Sequence, residues 1–450
     1  MIRAGLLILL LLSAPGFASP PADWIVAHNA RAEYAQEPVF GGRVALYRAG
    51  PEEAETIVLV HGLGKAAARD WLDVIPALAQ RHHVIAVDLP GFGHSDKGNH
   101  HYSPENFARV LHAVLPKNGR FAFVGHSMGA TVALAFAAAH PDRVKRLVLI
   151  DAAGVLHRSV YTEFLAKMAI QRAIGRDSRW YAPVIRAIET RVENWPLEAD
   201  LALERAGVRH RWLRGDPSAI SAFAMVEHDF SRALRAIRVP TLVIWGAHDL
   251  IAPLRTGQAL ASAIPHARLV VLEGLGHAPQ IEAPERLNPI LLDELDGRQL
   301  AAQPYVLPSA AIRGQRMGKC DGRRAMEFSG DYESLVLENC PEARIVDARV
   351  GRLQLSHSTV RVVNSHIRDG IEGKNSRLEL TGGTVGGRLE LESTNLDAAA
   401  TRFASEQVVS NSGELPLVVR LSVAEVSRAG NAPLLLHDIF RIAPGETLIR

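Results

Sequence analysis

Short runs of consecutive apolar residues, many of them β-branched, recur through the first two thirds of this chain. Thr56–Val60, His83–Val87, Arg120–Val124, Arg146–Ile150, Pro240–Trp245 and Arg268–Leu272 are the clearest, and Arg43–Arg48 precedes them in an opening segment that starts near Asp23. Unbroken runs of this kind mark strands buried on both faces, as in a parallel sheet, rather than half-exposed strands with alternating polarity. Between them the apolar spacing becomes helical in Trp71–Ala79, Pro104–Leu115, Ala130–Ala139 and Gly257–Ala263. Alternating strand and helix predicts an α/β domain over residues 38–297.

The alternation is broken twice. The stretch from about residue 152 to 237 is too long for one crossover, and Tyr161–Ile174, Tyr181–Val192, Pro196–Ala206 and Pro217–Phe230 read as amphipathic helices within it. After Pro289–Leu295 the character changes: residues 298–315 read as a linker, and residues 316–450 as a second, β-rich domain. Its runs, among them Ser334–Leu337, Arg352–Leu355, Val360–Val363, Arg377–Leu380 and Arg388–Leu391, are Leu-x-Leu units separated by small polar residues. That pattern predicts a parallel β-solenoid, with an antiparallel sandwich as the alternative, and nothing in it suggests chemistry.

Composition changes this picture little. At 450 residues the chain exceeds one core, and a net charge of +2 with scattered arginines gives no electrostatic commitment to nucleic acid or an acidic membrane. The start is more informative. Met1-Ile2-Arg3 is positive, Leu6 to Leu12 apolar, and Ala14 to Ala18 a small-residue end, so residues 1–18 read as a signal peptide cleaved after Ala18. The apolar run is too short to span a bilayer, which needs roughly 20 residues. The expected location is periplasmic or secreted. In that compartment Cys320 and Cys340 are expected to form a disulfide, closing a loop that stabilises by about 3 kcal/mol. No Cys-His spacing suits a metal, and no cofactor is expected.

The chemistry is concentrated in Gly125-His126-Ser127-Met128-Gly129, set between an apolar strand and an Ala-rich helix. A serine on a sharp strand-to-helix turn requires neighbours without Cβ atoms, and that turn exposes Oγ and offers the N–H of Met128 to a developing oxyanion. A nucleophilic serine requires a base and a residue to orient it. Asp249 lies just past the strand ending at Trp245-Gly246, and His277 just past the strand ending at Leu272. Both positions lie beyond the C-terminal ends of strands, where open α/β sheets carry their sites. Asp151, at the end of the strand Arg146–Ile150, is the rival for the acid.

In these segments the chain resembles the α/β-hydrolases of the esterase, lipase and carbon–carbon hydrolase group. Leu59-Val60-His61-Gly62-Leu63-Gly64, Asp88 to Asp96, the serine elbow, Trp245 to Asp249, and Gly276-His277-Ala278-Pro279 with Glu282-Ala283-Pro284 carry the likeness in order. The resemblance implies that the 152–237 insertion is a helical cap and that the N–H of Leu63 is the second oxyanion donor. It also implies that His61 and His126 are structural, and that a serine at position 127 disfavours dehalogenase and epoxide hydrolase chemistry.

The expected activity is hydrolysis of a small-molecule or lipid carboxylic ester by Ser127, His277 and Asp249. The competing expectations are a carbon–carbon bond hydrolase with the same three residues, or a catalytically silent binding or scaffold protein.

Overall fold

The computed structural model describes residues 30–160, 202–298, 311–313, 317–320 and 326–449. The expected signal peptide, the cap helices expected at Tyr161–Ile174 and Tyr181–Val192, and most of the expected linker lie outside these residues. The chain divides into two compact units, the first of residues 1–257 and 266–304 and the second of residues 258–265 and 305–450.

The first unit is built on an eight-stranded sheet. Its strands are β1 (Arg31–Gln36), β2 (Arg43–Ala49), β3 (Thr56–Val60), β4 (His83–Val87), β5 (Phe121–His126), β6 (Val144–Ile150), β7 (Thr241–Gly246) and β8 (Arg268–Leu272), in the order β1-β2-β4-β3-β5-β6-β7-β8. Pairing is antiparallel at β1–β2 and β2–β4 and parallel from β4 to β8. The parallel strands are the ones that read as apolar runs. β4 and β5 are buried along their whole length, because helices leave them no face in water.

Local sequence sets the helices. In α1 (Pro104–Val114) Ser103 accepts from the N–H of Asn106, Pro104 occupies the first turn, and the chain turns extended at Leu115 ahead of Pro116. The next helix, α2 (Met128–Ala139), is buried from Met128 to Ala137 on every side, as an apolar helix without a polar stripe must be. The helix expected over Trp71–Ala79 is instead a 3-10 turn, Ala67–Trp71, followed by a short helical turn, Ile75–Leu78, which Pro76 restarts. In the described part of the insertion, helices run over Ala206–Leu213, Pro217–Glu227 and Ser231–Ala236. Thus Ala206, expected to end a helix, begins one.

The second unit is β-rich, and the pairing through its body is parallel, which removes the antiparallel sandwich. Apolar columns form its core, three of them as follows. Leu335, Leu353, Ile371 and Leu389 are successive neighbours in one, and Ile345, Val362, Leu380, Ala398 and Leu421 in another. Val350, Ile367, Val385, Phe403 and Val426 make the third. Polar corners repeat with the same step. The N–H groups of Cys340, Ser358 and Ser376 donate to the hydroxyls of Ser358, Ser376 and Thr394, each 18 residues further on. Asn339, His357, Asn375 and Ser393 turn these corners with φ of 45–53°, a region in which asparagine is enriched. The unit ends on antiparallel pairs, Leu417–Arg428 with Asn431–Ile442 and Gln407–Asn411 with Thr447–Ile449. Cys320 and Cys340 are joined by a disulfide and are buried.

Candidate active site

β5 delivers Ser127 at the C-terminal edge of the sheet, where its N–H donates to the carbonyl of Ile150 at the end of β6. Ser127 has φ 51° and ψ −117°, a strained conformation held by what surrounds it. The two elbow glycines explain how. A Cβ on Gly125 would lie 2.4 Å from the carbonyl oxygen of Gly129, and a Cβ on Gly129 would lie 2.2 Å from that of Val60. Backbone thus meets backbone on both sides of the serine, and no other residue fits.

His277 and Asp249 converge on this serine. Nε2 of His277 lies 2.9 Å from Ser127 Oγ, and Nδ1 lies 2.7 Å from Asp249 Oδ2. A carboxylate only accepts, so Nδ1 carries the proton toward Asp249 and Nε2 accepts from the serine hydroxyl. The other oxygen of Asp249 accepts from the N–H groups of Ile251 at 2.7 Å and Ala252 at 3.0 Å. The side chain of Asp249 is fully enclosed, and its two oxygens face three donors. The two loops that carry Asp249 and His277 are packed backbone to backbone, since a Cβ on Gly246 would lie 1.9 Å from the carbonyl oxygen of Gly276.

The turn after β3 closes the other side. A Cβ on Gly62 would lie 2.7 Å from Nδ1 of His126 and 3.2 Å from Cβ of Ser127, so this turn, which Leu63 follows, lies against the serine. Met128 opens α2, and its N–H therefore has no partner within the helix. His61 is structural: Nε2 accepts from the N–H of Leu89 at 3.0 Å, and burial pushes its pKa down.

Some residues around the site carry roles that the sequence motifs do not assign. Glu282 brackets the histidine, accepting from the N–H of Gly276 at 2.6 Å and from that of Ala278 at 3.0 Å. His126 Nε2 donates to the carbonyl oxygen of His277, and burial, with the charge of His277 second, lowers its pKa to about 3. Asp70, in the 3-10 turn, is raised to about 7 by burial, against the opposing influence of the Gly62 N–H and of His277. Asp151 does not contact His277 by any hydrogen bond; its Oδ1 accepts from the N–H of Gly246 at 2.8 Å. Among the described residues no cluster of three or more His, Cys, Asp or Glu could hold a metal ion, and no helix is long and apolar enough to cross a membrane.

A parallel sheet of this order, with a serine elbow at its edge, defines an α/β hydrolase. The sequence profile of the Alpha/beta hydrolase family matches residues 57–290, and the chain belongs to that family. It is 31% identical over 260 residues to 2-hydroxy-6-oxononadienedioate/2-hydroxy-6-oxononatrienedioate hydrolase 2 of Pseudomonas putida, covering 54% of this chain and 88% of that protein. It is 32% identical over 271 residues to pimeloyl-[acyl-carrier protein] methyl ester esterase of Neisseria meningitidis, covering 56% and 83%. Among solved structures, the enol-lactonase from Burkholderia xenovorans LB400 is 28% identical, with a TM-score of 0.43 over 59% of this chain and all of that one. The family match ends before the β-rich unit.

Proposed function

We propose that this hydrolase cleaves carboxylic esters through an acyl-enzyme, with Ser127 as nucleophile, His277 as base and then acid, and Asp249 as its orienting partner. The observation that carries this reading is the hydrogen-bonded series Asp249–His277–Ser127, with 2.7 and 2.9 Å separations, ending on an oxygen held at an elbow. Ser127 Oγ attacks the ester carbonyl carbon while its proton passes to Nε2 of His277. The negative charge develops on the carbonyl oxygen, beside the N–H groups of Leu63 and Met128, and removing one such donor typically costs ~10²–10³ in rate. Collapse breaks the carbon–oxygen bond, and the alcohol leaves with the proton from His277. Water, deprotonated by the same nitrogen, then releases the acid and restores the serine.

A second reading, hydrolysis of a carbon–carbon bond, is supported by the similarity to the Pseudomonas putida 2-hydroxy-6-oxononadienedioate hydrolase. One experiment separates the two. Purified protein is assayed on p-nitrophenyl esters of graded chain length and on 2-hydroxy-6-oxononadienedioate, with a serine-directed phosphonate as probe. Turnover of short or medium esters with labelling of Ser127 supports the first reading. Turnover of the dienedioate alone replaces it with the second, and no labelling at all leaves a binding protein.

We further propose that residues 1–18 direct export, and that the β-rich unit coils as a solenoid and serves as a structural or docking module. The 18-residue step of its hydroxyl ladder supports the solenoid reading. Mass spectrometry of the protein recovered from its native cells tests the cleavage after Ala18.

A further inference from the structure

Asp151 is a buried ionisable group that the proposed mechanism leaves unused. It sits at the end of β6 with φ 43°, fully enclosed, its N–H donating to the carbonyl of Ile244 at 3.0 Å. Oδ1 accepts from the N–H of Gly246, the last residue of β7 and the first of the turn that carries Asp249. Oδ2 is buried and has no hydrogen-bond partner. An orphaned buried oxygen is costly, and a carboxylate with one would be costlier still.

The surroundings decide which of the two acids is charged. Asp249 has three donors, from His277, Ile251 and Ala252. Asp151 has one, and the charges acting on it, from Asp249 and then Glu282, are both negative. Burial first, and the Asp249 charge second, push the Asp151 carboxyl well above the usual range. Two adjacent buried carboxyls do not both ionise. The proton therefore resides on the one with the orphaned oxygen, and an O–H there is a donor. An ionised carboxylate offers about four acceptor sites, so Asp249 has one left to receive it.

We propose that Asp151 is a positioning residue, a neutral carboxylic acid whose Oδ1 anchors the end of β7 and whose Oδ2–H turns toward Asp249 to hold that carboxylate on His277. The proposal rests on the reading of Asp249 as the orienting acid. It makes the two aspartates a pair with divided labour: one bears the charge that stabilises the imidazolium, and the other fixes its aim. It also accounts for an aspartate at a strained backbone position whose hydrogen bonds go to Ile244 and Gly246.

The test compares Asp151→Asn and Asp151→Ala in the full chain, with kcat and KM measured separately on one p-nitrophenyl ester and with melting temperatures recorded. Asparagine keeps both functions, since its amide oxygen accepts from Gly246 and its NH₂ donates to Asp249. Asp151→Asn is expected within roughly threefold of the parent in kcat, whereas Asp151→Ala should lose about ten- to a hundredfold in kcat with KM little changed, the scale of one buried partner left unsatisfied. If the alanine variant does not fold, the asparagine variant alone decides. A loss in Asp151→Asn as large as that in Asp249→Asn would show that the Asp151 charge is required and overturn the proposal. So would an alanine variant with the parent's kcat. Ser127→Ala, run alongside, keeps the two levels distinct: if it retains turnover, the serine mechanism fails whatever the Asp151 series gives.

Discussion

His126 and His277 are joined by a hydrogen bond of 2.6 Å from the Nε2–H of the first to the carbonyl oxygen of the second. The residue before Ser127 thus holds the main chain of His277, 151 positions away in sequence. Burial keeps the ring neutral by lowering the His126 pKa to about 3, and the single ring proton then sits on Nε2, toward that carbonyl. Ser127 and His277 are consequently tied to one another by the backbone as well as by their own hydrogen bond.

Ser127→Ala should abolish ester turnover and phosphonate labelling without unfolding the chain, because alanine can occupy the elbow as serine does. Active-site labelling read by intact mass, together with circular dichroism, checks both halves of this expectation. Labelling at the parent's rate would remove Ser127 from its role.

Asp249→Asn should lower kcat by roughly 10⁴, the effect of presenting the wrong histidine tautomer to the nucleophile. The N–H groups of Ile251 and Ala252 that now bind Oδ1 would pull the amide oxygen to their side and turn NH₂ toward Nδ1. Steady-state kinetics on one ester is the measurement, and a loss below tenfold would count against the assignment.

Gly129→Ala should destabilise by about 1–3 kcal/mol, the usual cost of overpacking, because its Cβ would press on the carbonyl oxygens of Val60 and His61 at 2.2 and 2.4 Å. Gly64→Ala is the control, since a Cβ there meets nothing within 4 Å. Urea melts of the two variants should separate clearly; equal midpoints would contradict the packing argument.

Asp70 gives a stability change with pH whose sign is fixed. Its folded pKa, about 7, lies above the ordinary 3.8. Below pH 3.8 folded and unfolded chains are both protonated, and between 3.8 and 7 only the unfolded chain ionises, so its contribution to stability is lost as pH rises through that window. Asp70→Asn lacks this loss. Its melting temperature relative to the parent should rise across the window, and a difference that stays flat would show that Asp70 ionises normally.

Replacing Cys320 and Cys340 by serine should cost about 3 kcal/mol in the β-rich unit, from the loop of 20 residues that the disulfide closes. Thermal unfolding with and without reductant, compared with the double variant, measures it. A reductant effect that persists in the variant would point elsewhere.

The hydrolase sheet was legible because full burial writes itself into sequence. β3 and β4 fall on their apolar runs residue for residue, as does β8, although it is only partly buried before Leu272. β1 was missed because it lies at the sheet edge and is mostly exposed, so Arg31–Gln36 has no apolar run to betray it. Motif and chain order single out Ser127, His277 and Asp249, which the structure brings within hydrogen-bond distance, but Glu282, His126 and Asp70 act through backbone groups and burial, which no spacing encodes. In the second unit the strand His366–Lys374 was passed over because Gly370 and Gly373 interrupt its apolar positions. The 18-residue step was hidden too, since its regular members are the small polar corners rather than the apolar residues between them.

The way the second unit finishes has a consequence for solubility. A stack of parallel strands leaves unpaired N–H and C=O groups at its last layer, a template on which another chain could add. Here Leu417–Arg428 passes its ladder to Asn431–Ile442 in the opposite direction, and that outer strand carries Pro433, Asp438 and Arg441. Proline withholds a donor and the charges resist a dry interface, so fibre growth from this end is blocked by the chain's own last hairpin.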